Sequence, residues 1–332
     1  LAAPAPGQDL SGSNPGRTTT EAGAMKYSND ANLDTSEVSD TRGRGGGGMI
    51  GGRGGAVGGG VGVVGILIYL LVAYVGGSNP QVANVLGQLG QDGRPATADN
   101  TEIQKECKTG QDANNHLECA VVADINSIQD YWTTELPKMG KRYVEVDTVW
   151  FSGQVSTGCG TADSGAGPFY CPADQLVYID LTFYNDLKSQ FGAEGGLFVD
   201  AYVLAHEYGH HVQDLLGIES RIDHSATGPK SDSVRLELQA DCYAGVWAKH
   251  ALEPDSHGNT IVSEITADDV SRALDAAGRI GDDYIQKNLG GGRVDTSKFT
   301  HGSAAQRKTW FTTGYRTGAP KNCDTFGTNN LG

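Results

Sequence analysis

The segment His206-Glu207-Tyr208-Gly209-His210 has residue types and a spacing that can do metal chemistry. On a helix, residues four apart lie on one face, so His206 and His210 project side by side and can meet one cation. Glu207 stands one step round that face, near enough to a metal-held water to act as its general base without being a ligand. Catalytic zinc needs a third protein ligand and an open position for water. A third histidine six residues after His210 is not available, because Gln213 and Leu216 stand where a Gly and a His would continue that pattern. A carboxylate from a second helix is the alternative, and Glu237 supplies it. Asp241, four residues on and facing the same way, can accept the outer N–H of His206, fixing its tautomer and raising its basicity.

These residues need two helices to hold them. Gly195 to Gly217 has the hydrophobic period of a buried helix, bracketed by glycines, with Gly217 placed as its C-terminal stop. Ser231 to His250 opens on helix-capping residues and carries Val234, Leu238, Trp247 and Ala248 among its apolar positions. Further helices are predicted over Glu118 to Trp132, Asp268 to Lys287 and Ser303 to Thr313, and a strand over Arg142 to Val149. Gln175 to Leu181 reads as a second strand, either an exposed edge able to hold an extended peptide or an interior strand. Helices outnumber strands, which gives a mainly helical α+β domain over residues 101–328, built around one cleft. Polar loops at 218–232 and 253–262 are placed at its border. His211, beside His210 but on another face, is expected to pack or hydrogen-bond rather than ligate.

Ahead of that domain the chain changes character. It has 332 residues and 48 glycines, of which 16 fall between Gly43 and Gly77. Residues 1–54 hold few side chains able to offset the entropy of ordering, and read as a disordered Gly/Arg-rich tail in which Met25 offers a true start. Between Gly54 and Gln91 there is no Asp, Glu, Lys, Arg or His, and Ala56 to Val75 is an apolar run of about one bilayer thickness. A transmembrane helix over 55–76 and a polar linker over 77–100 follow. Arg42, Arg44 and Arg53 precede the span, which places the tail in the cytoplasm and the larger domain outside. Gly54, Gly58 and Gly62 form a ladder through which two spans could pair into a homodimer.

All six cysteines (Cys107, Cys119, Cys159, Cys171, Cys242 and Cys323) follow the span, the pattern of disulfides in an exported domain. Among the formally possible pairings the economical set joins Cys107 to Cys119 and Cys159 to Cys171, leaving Cys242 for Cys323. A formal charge of −15 disfavours nucleic acid as a partner, since phosphates call for the opposite sign.

His206-Glu-Tyr-Gly-His-His-Val-Gln213 and Glu237-Leu-Gln-Ala-Asp-Cys-Tyr-Ala-Gly-Val-Trp247 together resemble the bacterial putative neutral zinc metallopeptidase family. Two further blocks agree, Gly158 to Asp174 and His301-Gly-Ser-Ala-Ala-Gln-Arg307, and the likeness runs from about Arg42 to Phe326. It implies a zincin-like fold of the class with a glutamate third ligand, with Zn2+ on His206, His210 and Glu237. On that expectation the chain is a membrane-anchored, zinc-dependent peptidase acting on a peptide or protein, with Glu207 as general base. The oxyanion of such a reaction needs a donor besides zinc, and His301, outside both metal helices, is the candidate. Two other readings stay open: a latent or inactive zinc-binding envelope module, and a zinc hydrolase of a cell-wall amide. Intact Glu207 argues against the first, because a binding module has no use for a general base.

Overall fold

The computed structural model describes residues 24–42, 98–255 and 258–332. Its first surprise is an N-terminal arm. Strand β1 (Lys26–Tyr27) pairs antiparallel with a strand near the other end of the chain, Lys26 standing opposite Glu264. Strand β2 (Val38–Asp40) follows a short 3-10 turn. Met25, Tyr27, Ala31, Leu33 and Val38 are buried in the main core. The tail expected to be disordered through residue 54 is therefore folded over 24–42. Composition averaged over a long Gly/Pro/Ser-rich stretch hides this short arm, whose few apolar groups gain a core only from residues far along the chain. The transmembrane helix expected at 55–76 and the linker as far as residue 97 lie outside the described residues. Among the described residues no helix is long and apolar enough to cross a membrane.

The chain resumes beside the strand it left. The Asp99 N–H donates to the Asp40 carbonyl at 2.8 Å, and the Asp40 N–H to the Asn100 side chain at 2.9 Å. Helices α1 (Thr101–Glu106), α2 (Gly110–Ala113) and the long α3 (Leu117–Glu135) come next. Strand β3 (Thr148–Trp150) is shorter than the strand predicted over Arg142 to Val149. The reason is a side chain: Gln129 of α3 donates to the Val146 carbonyl at 3.1 Å and accepts the Val146 N–H at 3.0 Å, taking the place of a neighbouring strand. A hairpin of β4 (Gln154–Thr157) and β5 (Gly160–Asp163) leads to β6 (Phe169–Cys171) and β7 (Leu176–Ile179).

The four-stranded sheet has the order β2-β3-β7-β6, parallel except for β6. Of the two readings of the 175–181 segment, the interior one holds: β7 is flanked on both sides, and β6 is the edge next to it, with β2 the edge opposite. Strand propensity reports an extended, half-buried backbone; it carries no information on which neighbours bond to it.

The helical half comprises α4 (Phe183–Ser189), α5 (Leu197–Leu215), α6 (Asp232–His250), strand β8 (Val262–Glu264), α7 (Ala267–Arg279), α8 (Asp282–Asn288) and α9 (Ala304–Thr317). Gly217 ends α5 at φ +68°, and the Ser231 side chain caps α6, both as the sequence indicates. The single helix predicted over Asp268 to Lys287 is two. It breaks at Gly281, where a Cβ would fall 2.4 Å from the Ala304 nitrogen, so the turn exists to let the start of α9 close in. All three disulfides join the expected cysteines: Cys107–Cys119, Cys159–Cys171 and Cys242–Cys323. The architecture is mixed α/β, with about half of the described residues helical and with helices falling between strands β2 and β3 and on both sides of β8.

The Tyr27 hydroxyl donates to the buried Asp124 carboxylate of α3 at 2.9 Å, the arm's deepest polar contact. Tyr27→Phe should lower the unfolding free energy by about 1–3 kcal/mol, the cost of an orphaned buried acceptor, read by denaturant titration. Asp200, buried in the first turn of α5, is pushed up to about 7 by burial, against the pull of Lys188. The folded chain therefore holds this proton to higher pH than the unfolded one, so its contribution is full below about pH 4 and lost as pH rises through about 7. The stability gain from Asp200→Asn should accordingly grow between pH 4 and pH 8, by at most about 4 kcal/mol.

Candidate metal centre

Helix α5 sets His206 and His210 one turn apart with ring centroids 4.9 Å from each other. Helix α6 crosses beside it and brings Glu237 against both: Nε2 of His206 is 3.2 Å from Oε2, and Nε2 of His210 is 3.5 Å from Oε1. The crossing is close because Gly209, between the histidines, has no side chain. A Cβ there would stand 3.1 Å from the Ala240 backbone. The ligand atoms of these three buried residues lie within 4.8 Å of one another, a group that can hold a metal ion.

Each imidazole is oriented from behind. His206 Nδ1 lies 2.9 Å from Asp241 Oδ1, the contact expected from the four-residue spacing of Glu237 and Asp241. Asp241 is fully buried and also accepts from the Tyr202 hydroxyl at 2.6 Å and from Arg307 at 2.8 and 2.9 Å. Burial opposes its charge, yet the Arg307 and His206 cations hold its carboxyl down at about 2. His210 Nδ1 is 2.9 Å from Gln213 Oε1, and Gln213 is itself fixed by donating to the Leu236 carbonyl at 2.8 Å and to Gln239 at 3.0 Å. Both rings thus turn their Nε2 atoms toward Glu237. His210 Nε2 and Glu237 Oε1 are buried with no hydrogen-bond partner. Burial disfavours a charged His206, but Asp241 and Glu237 override it and push the ring up to about 10. Burial instead pushes His210 down to about 4, so its Nε2 keeps a free lone pair; that atom and the Glu237 carboxylate oxygen are what a divalent cation would satisfy.

Glu207 lies beside this group, 2 % exposed, with its carboxylate accepting the backbone N–H of Tyr170 at 3.1 Å. Burial pushes it up to about 8, with the nearby Glu237 charge adding to the effect and His206 opposing it. Tyr170 belongs to the edge strand β6, and its hydroxyl reaches two further residues of α5: Asp214 at 2.9 Å and His211 at 3.1 Å. His211 spends its other nitrogen on the Val144 carbonyl at 2.7 Å, away from the ligand group, as its face on the helix implied.

His301 is buried and lines the same cleft as His206, Glu207 and Glu237. Three consecutive backbone N–H groups, of Thr300, His301 and Gly302, converge on the Asp282 carboxylate at 2.8–2.9 Å and fix that loop. The apolar wall of the cleft comes from Phe183, Phe191, Val203, Ile280 and Ile285, with Pro168 at one side. The polar loops expected at its border, 218–232 and 253–262, are not among its lining residues. Sequence reasoning gave no role to Arg307 or Tyr202. Arg307 stood at the end of the His301 block, but only the fold carries it 66 positions back to Asp241. Gln213, given no role of its own in the sequence, proves to orient His210.

Residues 25–326 match the family described as "Putative neutral zinc metallopeptidase". An uncharacterized protein of Mycobacterium tuberculosis (strain ATCC 25618 / H37Rv) is 47 % identical over 250 residues, covering 75 % of this chain and 83 % of the relative. The uncharacterized protein YpfJ of Escherichia coli (strain K12) is 38 % identical over 302 residues, 89 % of this chain and 96 % of its own length. No solved structure was found to match.

Removing the partner behind His206 while keeping its shape tests this centre. Asp241→Asn should weaken metal binding by roughly 10–100-fold, measured by competition with a chelating dye.

Proposed function

For a chain that belongs to the neutral zinc metallopeptidase family, we propose a zinc-dependent peptidase in which His206, His210 and Glu237 hold the metal and Glu207 is the general base. One observation carries the reading: three metal-ligand side chains converge, and a second buried carboxylate, that of Glu207, not needed for ligation, sits beside them on the wall of a cleft. A structural zinc site is closed by four protein ligands; among the described residues this one offers three.

Zinc, when bound, supplies a Lewis acid that polarises a carbonyl and acidifies a water. The chain's own groups do the rest. Glu207 removes a proton from the attacking water and returns it to the leaving amine. Its buried position beside the ligand group places it to hold that proton between the two steps. The Tyr170 N–H keeps the carboxylate aimed while its charge changes. Asp241, itself neutralised by Arg307, keeps His206 in the tautomer that leaves Nε2 available as a ligand. His301, on the cleft wall, is the donor assigned to the carbonyl oxygen as it gains negative charge. The apolar wall favours a large apolar side chain next to the scissile bond, since burying one gains about 1.5–3 kcal/mol. Three disulfides support an oxidising compartment for this activity.

Cleavage of a mixed peptide library reads this directly. The native chain should cleave beside large apolar residues, and a chelator should stop it until zinc is restored. Glu207→Gln should lose on the order of 10²–10⁴-fold in kcat while still binding one metal per chain. Equal cleavage by Glu207→Gln and native protein would sink the reading.

A further inference from the structure

We infer that residues 24–42 and residues 98–332 lie on one and the same side of the membrane, in the oxidising compartment. Any membrane contact made between Arg42 and Ala98 then begins and ends on that side. The inference is independent of the metal centre and replaces the arrangement of a cytoplasmic tail joined by one crossing to an external domain.

The arm is part of the domain's interior. Tyr27, Met25 and Val38 are each only 1 % exposed. β1 closes a two-stranded ladder with β8, and β2 is hydrogen-bonded to β3 in the sheet that carries β6. Between these strands, the Leu33 N–H donates to the Lys108 carbonyl at 3.0 Å and the Gly110 N–H to the Ala31 carbonyl at 2.8 Å. A crossing that put the arm in the cytoplasm would strip these partners from the domain and leave Asp124 without the Tyr27 hydroxyl. Exchange of arms between two copies does not alter the conclusion, because an exchanged arm still docks on a domain on the same side.

Two observations extend it. The arm lies against the loop just after Cys107, whose disulfide to Cys119 belongs to an oxidising compartment, so the arm shares that compartment. Arg42, one of the charges that suggested a cytoplasmic tail, is engaged on the domain. Its guanidinium donates to Asp40 at 2.8 and 2.9 Å, meets Glu118 at 3.4 Å, and lies 4.9 Å over the Trp150 ring. Arg42 is thus held by residues of the folded domain, on the side where that domain lies.

The test uses the full chain in intact cells whose outer barrier admits a membrane-impermeant thiol reagent. All native cysteines among the described residues are in disulfides, so an introduced thiol reports its own position. Asp30→Cys places one in the arm and Lys287→Cys one in the domain, both at exposed positions. Both should label to the same extent before lysis. Labelling of Lys287→Cys in intact cells with Asp30→Cys reacting only after lysis would overturn the inference. Protection of both until lysis would keep the shared side and overturn its assignment to the oxidising compartment. As a check that needs no reagent, Lys26→Cys with Glu264→Cys should form an additional disulfide in the cell, since these are opposed partners in the β1–β8 ladder. Two free thiols there, with the three native disulfides intact, would also count against it.

Discussion

A buried carboxylate sets the geometry on which the metal centre depends. Asp241 is withdrawn entirely from water, and an ionised group in that position is tolerated only when it is paired and hydrogen-bonded on every side. Its partners come from two other helices, His206 and Tyr202 from α5 and Arg307 from α9, so that with α6, which carries Asp241 itself, three helices meet at this group. Any shift of one helix against another would leave a charge uncompensated. The packing is therefore specified by electrostatics as much as by shape. Glu237, one turn before Asp241, is carried into place by the same constraint, and so meets both histidines without needing a support of its own.

The sheet serves a different part of the site. Its contribution is one backbone N–H, that of Tyr170, directed at Glu207. Several features keep this edge strand in place: the Tyr170 hydroxyl on Asp214 and His211, the disulfide from Cys171 to Cys159, and the ladder with β7. A general base beside a metal must change charge without changing position, and a rigid amide is a suitable partner for that. Behind β6 the parallel strands β7, β3 and β2 extend the support to the N-terminal arm, so that the first described residues and the metal helices belong to one packed unit.

What the sequence determined by itself was local. A four-residue helical spacing put His206 with His210 and Glu237 with Asp241, because a helix repeats every 3.6 residues whatever surrounds it. Capping by Ser231 and the stop at Gly217 were legible for similar reasons of short-range chemistry, whereas for the six cysteines the sequence offered an economical pairing without being able to choose it, and the fold made the choice. Tertiary structure decided whatever required a partner distant in the chain. It made β7 an interior strand and β6 an edge, replaced a strand neighbour at Val146 with the Gln129 amide, and broke the 268–287 helix where Gly281 meets Ala304. It also brought Arg307 to Asp241 and folded residues 24–42 into a core made by other segments. Burial, pairing and charge compensation are properties of the assembled interior, and no local pattern of side chains encodes them.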